Sequence, residues 1–135
     1  NGRERIAGFE QAITAASLKV VSSQAGNWDM GKANQLAAAV LNEHPNIKAF
    51  FCANDTMALG AVSALRSAGK LGQVKVVGFD NIAAVAQLVK SGEVAATVDQ
   101  HGGQLAVFGI EYALAIVNKQ GIPDDKETPV TLVER

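Results

Sequence analysis

Four residues stand where a strand-like segment gives way to a helical one, and their side chains could bind a polar ligand. Trp28 follows LKVVSSQ, Asn54 follows IKAFFC, Asp80 follows VKVVGF and Gln100 follows VAATVD. In a parallel sheet the carboxyl ends of the strands share one edge, and ligands bind in the crevice outside it. A carboxylate and two amides could pair with adjacent sugar hydroxyls, while an aromatic ring could cover the apolar face of the sugar.

Each of these residues also has a purely structural interpretation. Asn54 or Asp55 could be the N-cap of the helix that follows, and Asp80 or Asn81 the N-cap of the next helix. Trp28 could simply pack at a loop-to-helix junction. The combination favours one shared ligand, because capping requires neither an aromatic ring nor a glutamine.

A forked hydrogen-bond donor, such as an arginine guanidinium, would complete a sugar site of this kind. Arg3 or Arg5, in the opening stretch NGRERIAGF, could supply it. On charge alone either arginine could equally be a solvated surface residue.

The sequence contains no pattern typical of an enzyme or of a bound metal. There is no dinucleotide fingerprint, no P-loop and no G-x-S-x-G elbow. His44 and His101 have no nucleophile at suggestive spacing, and Cys52 has no partner for a disulfide or a zinc site. We therefore expect a binding protein rather than an enzyme, with no cofactor and no metal.

The elements that must position these residues alternate between two hydrophobic periods. Apolar residues recur at helical spacing before LKVVSSQ, and strand-like runs then alternate with helical ones, with Asp29 as a predicted N-cap and Gly69 and Gly92 as predicted helix ends. Strands that alternate with helices of ten or more residues require crossovers and a sheet covered on both faces. The predicted class is α/β, with a doubly wound parallel sheet.

Length and charge narrow the possible partners. The 135 residues fit one domain, and 48% of them are hydrophobic. Twelve Lys and Arg against thirteen Asp and Glu give a net charge of -1, without a basic stripe. We expect no nucleic acid partner, and no apolar run is long enough to predict insertion into a membrane.

Three motifs give the chain a resemblance to a known family. FFCANDTMALGAVSALRSAG, VKVVGFDN and AATVDQ resemble the carboxyl-terminal half of a periplasmic sugar-binding protein of the ribose-binding type, the receptor of an ATP-driven (ABC) importer. The resemblance implies the type I periplasmic-binding-protein fold, a location in the periplasm, and a monosaccharide such as a ribose-like pentose bound between two lobes. It also implies a membrane permease as a partner.

Site residues follow from the same resemblance. The GRERIAGF stretch implies Arg3 as the sugar-binding arginine, and NWDMGKA places Trp28 where the family carries an aromatic residue. The motifs CAND, GFDN and TVDQ imply that Asn54, Asp80 and Gln100 are hydrogen-bonding partners of the sugar.

The resemblance further implies an organisation in three parts. Residues 1–100 would form the carboxyl-terminal lobe without its first strand, residues 101–127 a hinge crossing and a helix that packs on the other lobe, and residues 128–135 a return strand or tail. Such a chain would expose large apolar faces. We expect an amino-terminal half of the same protein, or a second copy of this chain, to cover them.

A second family shares parts of these motifs. Repressors of the lac-repressor type carry similar ND-x-MA-x-G and VVGFD-like runs in their effector domains. The alternative function is therefore that of the sugar-effector domain of a transcription regulator.

Overall fold

The computed structural model describes residues 2–121 and 124–135, which form five helices and a four-stranded sheet. In chain order the elements are α1 (Gly2–Ala15), α2 (Met30–Glu43), β1 (Ala49–Phe51), α3 (Asp55–Ser67), β2 (Lys75–Val77), α4 (Ala83–Ser91), β3 (Ala96–Asp99), α5 (Gly102–Val117) and β4 (Thr131–Glu134).

The sheet has the strand order β1-β2-β3-β4. The first three strands are parallel, as the alternating pattern predicts. Strand β4 returns antiparallel to β3 and pairs Thr131 with Asp99 at one end and Glu134 with Ala96 at the other. The carboxyl ends of β1, β2 and β3 therefore meet at one edge, which we call the rim.

The core lies where α3 and α4 pack on the sheet and α2 packs against α3. Its largest fully buried apolar side chains are those of Leu65, Val62, Val76, Val85, Val89 and Val94. Helices α2 and α3 approach closely at Gly60, where an added Cβ would lie 2.3 Å from a backbone oxygen of α2. Only glycine permits this spacing.

Local sequence signals set the helix ends. The Asp29 carboxylate accepts a hydrogen bond from the backbone N–H of Lys32 at 2.6 Å, which confirms it as the N-cap of α2. Gly69 and Gly92 adopt positive φ values of 65° and 83° after α3 and α4, which confirms them as helix ends.

One predicted strand is wrong. Leu18 to Gln24 belongs to no helix and to no strand of the sheet, and residues 19–24 make no backbone hydrogen bond to a described residue. Helices α1 and α5 contain no buried residue, so they contribute little to the core. In the described part of the chain, no helix combines the length and the apolar character needed to cross a membrane.

Candidate functional site

Asn54, Asp80 and Gln100 lie at the rim, just beyond the carboxyl ends of β1, β2 and β3. Asn54 is the N-cap of α3, and its Oδ1 accepts a hydrogen bond from the backbone N–H of Met57 at 2.9 Å. Its Nδ2 makes no hydrogen bond to any residue that the structure describes. Capping therefore leaves this side chain with a donor for a ligand.

Asp80 projects from a strained loop between β2 and α4. Its φ of 123° lies in a region that non-glycine residues rarely adopt, and its N–H donates to the carbonyl of Val98 at 2.8 Å. Neither Asp80 nor Asn81 caps α4, since the N-cap residue is Ile82. The capping interpretation is thus wrong for both, and the strained backbone suits a residue held for a functional contact.

Asp55 holds this loop in place from beneath. Its side chain is fully buried and accepts hydrogen bonds from the Thr97 hydroxyl at 2.7 Å and from the backbone N–H of Ile82 at 2.9 Å. Gly78 leaves room for it, because a Cβ there would lie 2.1 Å from Asp55 Oδ1. The buried carboxylate therefore ties α3, β3 and the loop that carries Asp80 into one unit.

Arg5 of α1 reaches across the rim to Asp80 and Gln100. Its Nη1 lies 3.3 Å from Asp80 Oδ1 and donates to the carbonyl of Ala53 at 2.9 Å, while Nη2 donates to Gln100 Oε1 at 3.1 Å. Gln100 Nε2 in turn donates to Asp80 Oδ1 at 2.7 Å. The three side chains form one closed network, which we call the rim network.

Two aromatic rings flank the guanidinium of Arg5. Its Cζ lies 3.9 Å from the centroid of the Phe79 ring and 5.8 Å from that of Trp28. The arginine side chain is only 9% exposed, whereas that of Asp80 is 25% exposed. Stacking and burial hold the guanidinium in one orientation, and the carboxylate stays within reach of a ligand.

The electrostatics of Asp80 are a balance of opposing effects. Partial burial raises the pKa of its carboxyl, the nearby Arg5 lowers it, and the Asp55 charge raises it again, so that the pKa lies above its ordinary value. Asp99 at the next strand end differs, because hydrogen bonds from the backbone of His101 and from Asn81 lower its pKa.

The structure brings together three of the five predicted site residues and places the other two differently. Asp80 and Gln100 are in direct contact, and Trp28 joins them through Arg5. Asn54 lies on the same rim with its carbonyl oxygen engaged as a cap. Arg3 is exposed and lines a separate cavity, so the arginine in contact with the network is Arg5. The roles of all five residues in ligand binding remain predictions.

Sequence reasoning missed two contributors to this site. The pattern places Phe79 at the end of a strand, although its position directly before Asp80 in GFDN indicates that its side chain could lie at the rim. Asp55 was weighed only as a cap, and nothing local to the sequence shows that it is buried beneath the next loop. Within residues 2–121 and 124–135, no group of three His, Cys, Asp or Glu side chains could hold a metal ion.

Known proteins match the chain over most of its length. The family model for the periplasmic binding protein domain matches residues 1–121. The D-ribose/D-allose-binding protein of Pseudomonas aeruginosa is 53% identical and is aligned to 98% of this chain and 43% of its own length.

Two solved structures share the fold. An ABC transporter solute-binding protein from Burkholderia multivorans, with an unknown ligand represented as α-D-erythrofuranose, is 51% identical with a TM-score of 0.90, over 97% of this chain and 47% of the other. A periplasmic solute-binding protein from Actinobacillus succinogenes with bound D-allose is 38% identical with a TM-score of 0.81, over 87% and 41%.

The chain thus spans less than half the length of each of these proteins. Their names describe binding proteins, which confirms the expectation of a binding protein over an enzyme. The α/β doubly wound fold and the resemblance to the ribose-binding type are likewise confirmed. The chain belongs to the family of periplasmic binding protein domains.

Proposed function

We propose that this chain is part of the solute-binding component of an ABC-type sugar importer and forms one wall of a monosaccharide site in the periplasm. The proposed ligand is D-ribose, D-allose or a closely related sugar. The observation that carries the proposal is the rim network, in which Arg5, Asp80 and Gln100 converge at the carboxyl edge of a parallel sheet.

The chemistry of the rim suits a neutral polyhydroxylated ligand. Asp80 would accept hydrogen bonds from two hydroxyls, and Gln100 and the Nδ2 group of Asn54 would donate to their oxygens. Trp28, about half exposed beside the guanidinium, would cover the C–H face of the sugar ring. The guanidinium that faces the sugar would be that of Arg5.

The relatives support this ligand class over the alternative of a repressor effector domain. One is named for binding D-ribose and D-allose, and another is a solute-binding protein of a transporter with D-allose bound. A sugar receptor of this kind works by closing on its ligand, because contacts made only in the closed form shift the population towards it. A permease would then recognise the closed surface.

We propose further that residues 101–127 cross the hinge and that α5 packs on a partner. Six large apolar side chains of α5 are 41% to 76% exposed: Leu105, Val107, Ile110, Leu114, Ile116 and Val117. The proposed cover is the amino-terminal half of the parent protein or a second copy of this chain, and β4 within residues 128–135 is the return strand. A monodisperse, cooperatively unfolding monomer of the 135-residue chain, measured by light scattering, would contradict this.

The deciding experiment is a thermal-shift screen of the full-length parent protein with D-ribose, D-allose, D-glucose and myo-inositol. Binding to the native state alone must raise the melting temperature. Asp80→Ala should abolish the shift, because it leaves sugar hydroxyls unpaired in a desolvated site. The matched control is Asp125→Ala, an exposed carboxylate in the surface loop, which should retain the shift. No shift with any of the four sugars would refute the proposed function.

A further inference from the structure

The carboxylate and the amide of the rim network each precede a residue with a left-handed backbone. Asn81 follows Asp80 with a φ of 55°, and His101 follows Gln100 with a φ of 53°. Residues other than glycine rarely adopt this conformation, and they keep it only where their surroundings hold them in it. The direction in which Asp80 and Gln100 project therefore depends on what holds these two turns.

The carboxylate of Asp99 contacts both turns. Its Oδ1 accepts a hydrogen bond from the backbone N–H of His101 at 2.8 Å, and its Oδ2 accepts one from Nδ2 of Asn81 at 3.1 Å. These two hydrogen bonds lower the pKa of the Asp99 carboxyl, so that it stays ionised and accepts from both donors at neutral pH. One carboxylate thus links the turn after Asp80 to the turn after Gln100.

The amide of Asn81 is oriented by this contact. Its Nδ2 faces Asp99, whereas its Oδ1 is buried and accepts no hydrogen bond from a described residue. The reversed amide would place Oδ1 against the carboxylate, where two acceptors repel each other. The hydrogen bond to Asp99 therefore outweighs the cost of leaving a buried acceptor without a partner.

Strand β4 holds the second turn from its other side. Thr131 pairs with Asp99 in the ladder, and its Oγ1 lies 2.9 Å from Nε2 of His101. The Thr128 hydroxyl donates to the carbonyl of Gln100 at 3.2 Å. The turn after β3 is thus anchored to β4, and Asp99 connects this anchored turn to the neighbouring one.

We propose that Asp99 is the positioning residue of the rim network, whose carboxylate fixes the Gln100 amide against the Asp80 carboxylate at the Nε2–Oδ1 distance of 2.7 Å. It would thereby set the spacing of two groups that share the sugar hydroxyls, and in this respect the inference rests on the proposed function. An asparagine in its place has the same shape but only one accepting oxygen. Asp99→Asn therefore leaves one of the two donors facing an NH₂ group.

The first measurement needs no sugar. Exchange of the Gln100 side-chain amide protons with solvent is followed by NMR in the parent protein. Asp99→Asn should speed this exchange by roughly 10-fold, because the hydrogen bond from Gln100 to Asp80 opens more often. The matched control is Glu93→Gln, which alters a carboxylate that also accepts side-chain hydrogen bonds but lies before the opposite end of β3, and it should leave the exchange unchanged.

The second measurement is a double-mutant cycle on sugar affinity. Dissociation constants for D-ribose and D-allose are measured by titration calorimetry in the parent protein, its Asp99→Asn and Gln100→Ala variants, and the double variant. Asp99→Asn alone should weaken binding by roughly 10-fold, at the low end of the cost of one lost hydrogen bond to a charged group. In the Gln100→Ala background it should weaken binding by less than about 3-fold, because it acts through Gln100.

Unchanged exchange at Gln100 in Asp99→Asn would overturn the proposal, whether or not the protein binds sugar. Equal acceleration by Glu93→Gln would overturn it as well, as would equal weakening of sugar binding in both backgrounds. If the wild type binds neither sugar but the exchange responds as expected, the proposed function fails and the positioning of the network stands. Should Asp99→Asn not fold, Asn81→Gly takes its place in both measurements with the same expected results, since glycine keeps the left-handed backbone and removes one donor.

Discussion

The Thr97 hydroxyl offers the sharpest test of how the loop carrying Asp80 is held. Thr97 is fully buried, donates to Asp55 Oδ1 at 2.7 Å, and accepts from the backbone N–H of Asn81 at 3.3 Å. Thr97→Val keeps the shape and removes both hydrogen bonds. A hydrogen bond to a charged group contributes about 1.5–3 kcal/mol, and the long one to Asn81 adds less, so we expect a loss of roughly 2–4 kcal/mol in the free energy of unfolding.

Thr97→Ser is the matched variant, because it keeps the hydroxyl and removes one methyl group. Its expected cost is about 1 kcal/mol, mainly for the lost apolar burial. Urea denaturation of the 135-residue chain at one fixed protein concentration measures both values, and Thr14→Val, on the exposed face of α1, controls for the substitution itself. If the valine variant were as stable as the serine variant, the hydroxyl would not hold the loop and the argument from Asp55 would fail.

Three further predictions concern the rim. In the parent protein Arg5→Lys should weaken the proposed sugar-dependent thermal shift and Arg3→Lys should not, because Arg5, and not Arg3, contacts Asp80 and Gln100. The reverse result in the same screen would restore Arg3 as the sugar-binding arginine, as the resemblance implies. Burial raises the pKa of Asp80, so the folded chain binds a proton there more readily than the unfolded chain, and its free energy of unfolding should fall as the pH rises from the ordinary pKa of 3.8 through the raised pKa. Asp80→Asn should remove this pH-dependent component. Urea titrations in which the stability of the wild type minus that of the variant grows with pH would contradict the prediction. Gly78→Ala should destabilise the chain by about 1–3 kcal/mol, because the added methyl group clashes with Asp55. Gly109→Ala, in open space within α5, should instead stabilise it by roughly 0.5–1 kcal/mol. Equal effects of the two substitutions in urea denaturation would show that the structure relieves the clash.

The sequence predicts local features of this fold well, because their causes are local. The Asp29 and Asn54 caps depend only on a short polar side chain before a helical run, and the ends at Gly69 and Gly92 depend only on the conformational freedom of glycine. The rim was predictable for the same reason, since parallel strands place their carboxyl ends together whatever packs around them.

The choice between Arg3 and Arg5 depends on the rotation of α1 about its axis. Two residues apart on a helix, these side chains point to nearly opposite sides, and α1 has no buried face that would fix its orientation from the pattern alone. The resemblance implies Arg3, and the packing against Phe79 brings in Arg5.

The run from Leu18 to Gln24 is a case in which the local sequence does not determine the structure. Its β-branched residues favour a strand, but a strand forms only when a neighbouring segment supplies hydrogen-bond partners, so the prediction fails here. The burial of Asp55 is a similar case, because residues 27 and 42 positions away in the chain determine it.

The closed rim network has a consequence for the choice of ligand. One guanidinium and one carboxylate already neutralise each other within the chain, and the Gln100 amide links them. An anionic ligand would have to compete with Asp80 for Arg5, and a cationic ligand would have to compete with Arg5 for Asp80. An uncharged ligand that both donates and accepts can insert between the two groups without leaving either charge unbalanced. If the proposed sugar site is correct, the network would therefore select against charged ligands, and each hydrogen bond that a ligand gains would replace one that the chain already makes.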